Sequence, residues 1–271
     1  MKKLSLTLLA VIITFNFAGC KKIISQIHDN PGQDFQYCDI KKFKVWMRDS
    51  YNEFTVYYNK NGQPKDVLGT YPDTARQTWS YDQHFRYDAK GRVTDWIHNS
   101  PGLKNVFQWE TFHYLSPTRV LDSIYELNGV NGSYITDQHP PYNSSGAFIL
   151  CRIIDYDSYG RAIKITSLVP GYVQDIVYDA NGNSNLYEAY DNGINLMRTN
   201  KVWMFVNMNY NTNNFTKGYF ANAYTYNSYM LPTVIDVTPE SSMDLEQFWG
   251  VSFVFHRLTI EYDCKNMPKY Y

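Results

Sequence analysis

The sequence predicts an all-β domain: an antiparallel meander of repeated hairpins that forms a curled sheet or a closed barrel, with one or two short helices. Three observations predict it. A turn of the form Tyr-Asp/Asn-x-x-Gly recurs along the chain, and the segments beside it alternate apolar and polar residues. Aromatic residues, which favour strands, make up 17% of the 271 residues, with 25 Tyr, 15 Phe and 6 Trp.

The turn runs Tyr58 Asn59 Lys60 Asn61 Gly62, then Tyr87 Asp88 Ala89 Lys90 Gly91, Tyr156 Asp157 Ser158 Tyr159 Gly160, and Tyr178 Asp179 Ala180 Asn181 Gly182. Degenerate copies stand at 114–120, without the Gly, and at 226–232, where Met230 replaces it. An Asp or Asn after the Tyr can accept from the backbone two residues on, and the Gly supplies a left-handed conformation, so each copy suits a type I turn with a Gly bulge. The irregular spacing makes this an array with insertions.

Phe54, Val56 and Tyr58 alternate with Thr55, Tyr57 and Asn59, and Phe85 and Tyr87 with Arg86 and Asp88. Further strands are expected at 41–48, 106–114, 123–127, 148–156, 162–168, 173–178, 184–190, 221–226 and 251–262. Residues 239–250 carry Pro239 in a first turn, early acids and a terminal Gly250, the pattern of a short helix. Residues 201–208 are apolar and suit a helix or a buried strand, with helix preferred.

At the N-terminus Lys2 and Lys3 precede an apolar run from Leu4 to Phe17 that ends in Ala18, Gly19 and Cys20, the form of a bacterial lipoprotein signal. The expected organisation is a signal peptide over 1–19, lipidated Cys20 and a tether over 20–36, and a single β domain over 37–271. The expected location is the outer membrane, held by lipid, on its periplasmic or its surface face. Lys21 and Lys22 follow Cys20, so the acidic stretch often found after the lipidated Cys of surface-displayed Bacteroidota lipoproteins is missing. With Lys2 and Lys3 removed from the 25 basic residues, 23 face 26 acidic ones, a net charge of -3 that points to no nucleic-acid partner.

The envelope permits disulfides, but three cysteines remain after Cys20 and spacing alone leaves their connectivity open. A bond between Cys38, at the start of the first strand, and Cys264, near the end of the last, would close the domain ends and leave Cys151 as a thiol. No Cys pair has metal-ligand spacing and no two His residues share a helix face with a Glu, so neither a metal nor another cofactor is expected. Asp179, Asn181 and Asn183 resemble a calcium loop, but Gly182 falls in the wrong place and no bidentate Glu closes it, which reads as an ordinary turn.

Trp79, Trp96 and Trp109 fall in successive strand regions, where a row on one sheet face would stack on sugar rings; the competing reading is a buried core. Glu110, beside Trp109, has a glycosidase-like setting, yet no second carboxylate at working distance can be picked from sequence. No nucleophile elbow or phosphate loop is present.

The Tyr-Asp-x-x-Gly-Arg turns resemble the YD repeats of Rhs and wall-associated proteins. With the Cys38 first strand, the Trp203 Met204 Phe205 segment and the Glu261 Tyr262 Asp263 Cys264 Lys265 ending, residues 38–265 are similar to a group of uncharacterised Bacteroidota lipoproteins, related to families described as porin-like. The resemblance implies a meandering sheet that curls or closes, and no catalytic residues. The expected role is that of a non-enzymatic binding or structural module held at the membrane by lipid, with a glycan or an envelope protein as partner. The alternative is a polysaccharide-active enzyme or an accessory glycan-binding protein.

Overall fold

The structure, a computed structural model, describes residues 31–35, 37–47, 50–70, 82–99, 105–131, 147–169, 171–217, 222–237 and 256–265. The leader, Cys20, Trp79 and the expected helix at 239–250 lie outside them.

The first ten strands form a continuous meander: β1 (Cys38–Met47), β2 (Ser50–Tyr58), β3 (Pro64–Thr70), β4 (Asp82–Tyr87), β5 (Val93–Asn99), β6 (Asn105–Ser116), β7 (Arg119–Asn131), β8 (Ala147–Tyr156), β9 (Ala162–Val169) and β10 (Gly171–Asp175). An insert follows, holding the small sheet of β11 (Ala189–Ile194) and β12 (Asn213–Lys217) with the helix α1 (Lys201–Val206) between them. Then β13 (Asn222–Tyr226), β14 (Pro232–Val237) and β15 (Arg257–Cys264) return to the main sheet, where β15 pairs antiparallel with β1. The result is one antiparallel sheet of thirteen strands, ordered from β10 down to β1 and on through β15, β14 and β13.

Both β10 and β13 are edges, so of the two expected forms the open sheet is realised, with only weak curl, and the closed barrel is not. Among the described residues no helix is long and apolar enough to cross a membrane.

In a meander successive connections alternate between the two ends of the sheet. The turns at 59–63, 88–92, 117–118, 157–161 and 227–231 therefore share one end, the turn end, together with the start of β1 and the finish of β15. The connections after β3, β5, β7 and β14 leave from the opposite, loop end.

Side chains alternate across the pleat, so Phe43, Phe54, Phe85, Trp96, Phe112, Ile154, Ile165 and Leu258 gather on one face. On this face lies α1, contributing buried Val202, Trp203, Met204 and Val206 to the same core. Of the two expectations for 201–208, the helix is the one formed. Asn200 accepts from the Val202 N–H at its start, and at its end Met208 takes a left-handed φ of 47°. Burying each large apolar side chain stabilises by about 1.5–3 kcal/mol, which a six-residue helix could not supply from its own hydrogen bonds.

The expected strand at 184–190 is largely absent: Ser184 forms only an isolated bridge with Tyr178, and the Asn185 side chain accepts from the Val177 N–H, holding the chain in a turn.

Further contacts hold the insert, the entry segment and the two ends of the main chain path together. Asn183, Asn195, Asn209, Asn211, Asn213 and Asn214 are buried and hydrogen-bond one another and the irregular backbone around them. Each amide both donates and accepts, so the run satisfies a loop that has no ladder of its own. Among the described residues the fully buried Arg198 guanidinium has no carboxylate partner, and it donates to the carbonyls of Pro31, Gln33, Tyr210 and Asn211. Burial pulls its pKa down to about 10.

Through Arg198, residues 31–35 join the domain: Pro31 and Phe35 are buried, and Phe35 packs edge-on against Tyr37 and Tyr229. Residues 31–35, within the stretch expected as a tether, thus pack against the domain. Finally, Cys38 and Cys264 face each other across β1 and β15 and form a disulfide across a sequence separation of 226, while Cys151 is a free thiol beside Ser123.

Candidate functional site

The turn end repeats one hydrogen-bonding unit. The Asn59 side-chain oxygen accepts from the N–H groups of Asn61 and Gln63, at 2.9 and 3.1 Å; Asp88, Asp157, Asp179 and Asn227 do the same in their own turns. The fifth residue takes positive φ in each: Gly62 at 75°, Gly91 at 74°, Gly160 at 79°, Gly182 at 80°, and Met230 at 61°. Asp179 is thus used as a turn cap. Among the described residues no group of three or more His, Cys, Asp or Glu side chains is placed to hold a metal ion.

The turns are linked sideways by their tyrosines. The Tyr87 hydroxyl donates to the carbonyl of Pro64, two residues beyond Gly62. In the same way Tyr114 reaches Val93 at 2.9 Å, Tyr178 reaches Ala162 at 3.0 Å and Tyr262 reaches Pro232 at 2.6 Å, each two residues past the previous turn's left-handed residue. Where the turn carries Arg, the guanidinium pairs with the turn Asp and lies over the ring of the next tyrosine: Arg92 over Tyr114 at 4.0 Å, Arg161 over Tyr178 at 4.1 Å. Burial holds these phenols well above their ordinary pKa, as donors.

The ladder is interrupted once. Tyr156 should reach across to the turn at 114–120, but that copy has Leu115 in place of the Asp and Thr118 in place of the Gly, its Arg119 pairs with Asp155, and it closes through Pro117 and Thr118 alone. The buried Tyr156 hydroxyl has no carbonyl acceptor and lies beside that of Tyr210. Its ring packs on Phe205 of α1, which also stacks on Tyr114, each with centroids 6.1 Å apart.

Over this gap opens a cleft of about 370 Å³. Its walls are Val93, Tyr114, Val120, Tyr156, Val202, Met204, Phe205 and Tyr210, and its polar groups include Gln63, Arg92 and Lys201. The volume suits a small ligand. The described lining residues include no carboxylate, imidazole, thiol or aliphatic hydroxyl, and the cleft can stack, hydrogen-bond and attract negative charge.

Trp96 and Trp109 do not form a stacking row. Trp96 pairs with Glu110 and Trp109 with Ile97, which puts them on opposite faces, exposed by only 4% and 0%. Trp96 packs in the main core against Phe85, with its indole N–H donating to Gln83. Trp109 sits in a separate cluster with Ile97, Val106 and Leu127 and donates to Asp95 at 2.8 Å. Alternation along adjacent strands made this separation unavoidable.

The second carboxylate near Glu110 is Asp122 on β7. Arg152 on β8 binds both, Nε to Asp122 Oδ2 at 2.5 Å and Nη2 to Glu110 Oε1 at 3.2 Å. Burial, then the Asp122 charge, raises the Glu110 pKa well above the carboxylate range; burial raises Asp122 as well, against the pull of Arg152. Asp122 has the closer guanidinium, so Glu110 holds the proton. Both carboxyls are buried and touch one another, unlike glycosidase pairs, which stand roughly 5 to 10 Å apart around a substrate. Neither lines the cleft. Sequence pointed to Glu110; nothing local in it points to Asp122 or Arg152, which meet it only through strand register.

No protein-family model matches the chain, and no curated protein matches it.

Proposed function

We propose that this chain is an outer-membrane lipoprotein, anchored through Cys20, whose β domain is a non-enzymatic binding module with its ligand site in the cleft beside Tyr156. The observation that carries the binding reading is the lining of that cleft: aromatic walls and two cations, with no carboxylate, imidazole or thiol among the described lining residues. The hydrolase alternative loses support because its carboxylate pair is buried, in mutual contact and held by Arg152. The lipobox-like Ala18 Gly19 Cys20 supports the anchor, and the Tyr-Asp-x-x-Gly-Arg turns support kinship with YD-repeat proteins and Bacteroidota lipoproteins.

A saccharide is the first ligand class to test, because sugar rings stack on tyrosine and phenylalanine faces while Gln63 and Lys201 offer donors. A thermal-shift screen of the mature chain against oligosaccharides and polysaccharides reads this directly, since a ligand of the folded state raises its melting temperature. A shift that Phe205→Ala abolishes supports the site; a shift that survives it moves the site elsewhere, and no shift with any saccharide removes the glycan reading. For the anchor, Cys20→Ala should leave an uncleaved or soluble product, checked by fractionation and intact mass; normally acylated protein in the membrane fraction would refute it.

A further inference from the structure

We infer that the turn end is the face this protein holds against the bilayer, with Lys60, Lys90 and Lys201 engaging anionic lipid headgroups. The inference rests on lipidation of Cys20. The chain enters the described structure at Pro31, and it does so at the turn end. Arg198 fixes the carbonyls of Pro31 and Gln33, both at 2.9 Å, and a methyl group on Gly32 would come within 1.6 Å of the Tyr159 carbonyl oxygen, so Gly32 is pressed against the turn at 157–161. On the same end Asn200 donates to the Gly62 carbonyl at 2.9 Å.

From Cys20 to Pro31 there are eleven residue steps, a reach of at most about 36–40 Å. The twelve residues of β6 alone span about 40 Å. The turn end is therefore within easy reach of the bilayer, whereas the loop end could touch it only with the tether stretched along the whole sheet.

The charge of that face fits the same partner. Lys60 and Lys90 project from two turns and Lys201 from the start of α1; all three are exposed and none is in an ion pair with a described residue. The acids of those and the neighbouring turns, Asp88 and Asp157, are neutralised by Arg92 and Arg161. Asp179 at the margin beside β10, Asp34 beside Lys201, and Asp39 and Asp263 where β1 meets β15 work against the attraction, so it is carried by the lysines where they project from their turns and from α1 and not by a net charge of the whole face. Each lysine near an anionic surface raises partitioning roughly five-fold, and Lys21 and Lys22 add to this beside the lipid itself. Tyr159, 55% exposed at the tip of its turn, is suited to the headgroup region.

The test is amine labelling of the full, membrane-extracted chain reconstituted in vesicles of phosphatidylcholine alone or with a third phosphatidylglycerol, read residue by residue by mass spectrometry. Lys60, Lys90 and Lys201 should react at least three-fold more slowly in the anionic vesicles. Lys44, six residues along β1 from its start at the turn end and paired with Glu53, should not change. Equal rates for all four in both vesicles would overturn the inference. Intact mass separates this from failure of the anchor: if no acyl chains are found, the anchor reading falls alone. The unlipidated chain is then labelled with anionic vesicles in excess, where unchanged rates at the three lysines overturn the surface as well.

Discussion

At the turn end nearly every polar side chain serves its own hairpin or the one beside it, whereas one layer further along the sheet Glu110, Asp122 and Arg152 depend on each other across three strands. The Asp88 carboxylate caps N–H groups two and four residues away and meets Arg92 in the same turn. Arg152 meets Asp122 across 30 residues and Glu110 across 42. The first arrangement is exposed, redundant and repeated; the second is buried and unique. The same sheet is thus held by many small local terms at one end and by one large coupled term in its middle.

The largest effect should come from breaking the coupled cluster. Arg152→Met leaves two buried carboxyls without their cation and should cost about 3–5 kcal/mol in urea denaturation. Asp88→Ala at the turn end should cost only about 1 kcal/mol, so similar losses for the two would erase the distinction.

The cluster should also set the pH response. Because the Glu110 pKa is raised in the folded state, the folded chain keeps a proton that the unfolded chain releases above its ordinary value of 4.5. The stability this contributes is complete below that pH and is lost as pH rises through the folded value. Glu110→Gln should therefore flatten the decline in melting temperature above about pH 5. An unchanged pH profile would place the shared proton elsewhere.

Gly91 has φ of 74° with only the Gln63 side chain near a substituent, so Gly91→Val should cost about 1–2 kcal/mol from backbone conformation alone. At Gly182 a methyl group would also meet Thr212 Oγ1 at 2.5 Å, and Gly182→Val should cost more. Equal losses would mean that the turns differ in nothing but their backbone.

The contrast between the two regions also explains what could be read from sequence. The turns, ten of the strands beside them and the helix at Trp203 are written in contiguous residues, because an Asx cap, a left-handed Gly and a period of two are local chemistry. The interruption of the ladder had a visible signal, the missing Asp and Gly in the copy at 114–120, but its meaning needed the knowledge that each tyrosine reaches back to the preceding turn. Asp122 and Arg152 look like solvated strand residues until register puts them beside Glu110. The asparagines at 207–214 look like an exposed loop, and only the packing of the insert makes them a buried network. Trp96 and Trp109 could be read from sequence either as one stacking row or as buried core, because strand spacing alone does not say which face each occupies; both are buried, on opposite faces.

The most direct test is a urea-denaturation series in which Tyr87, Tyr114, Tyr156, Tyr178 and Tyr262 are changed to Phe one at a time. Four of these remove a hydroxyl that satisfies a backbone carbonyl and should each lose about 1 kcal/mol, while Tyr156→Phe should be close to neutral in stability. A loss at Tyr156 equal to the others would show that its hydroxyl is part of the ladder, and would remove the gap on which the proposed ligand site depends.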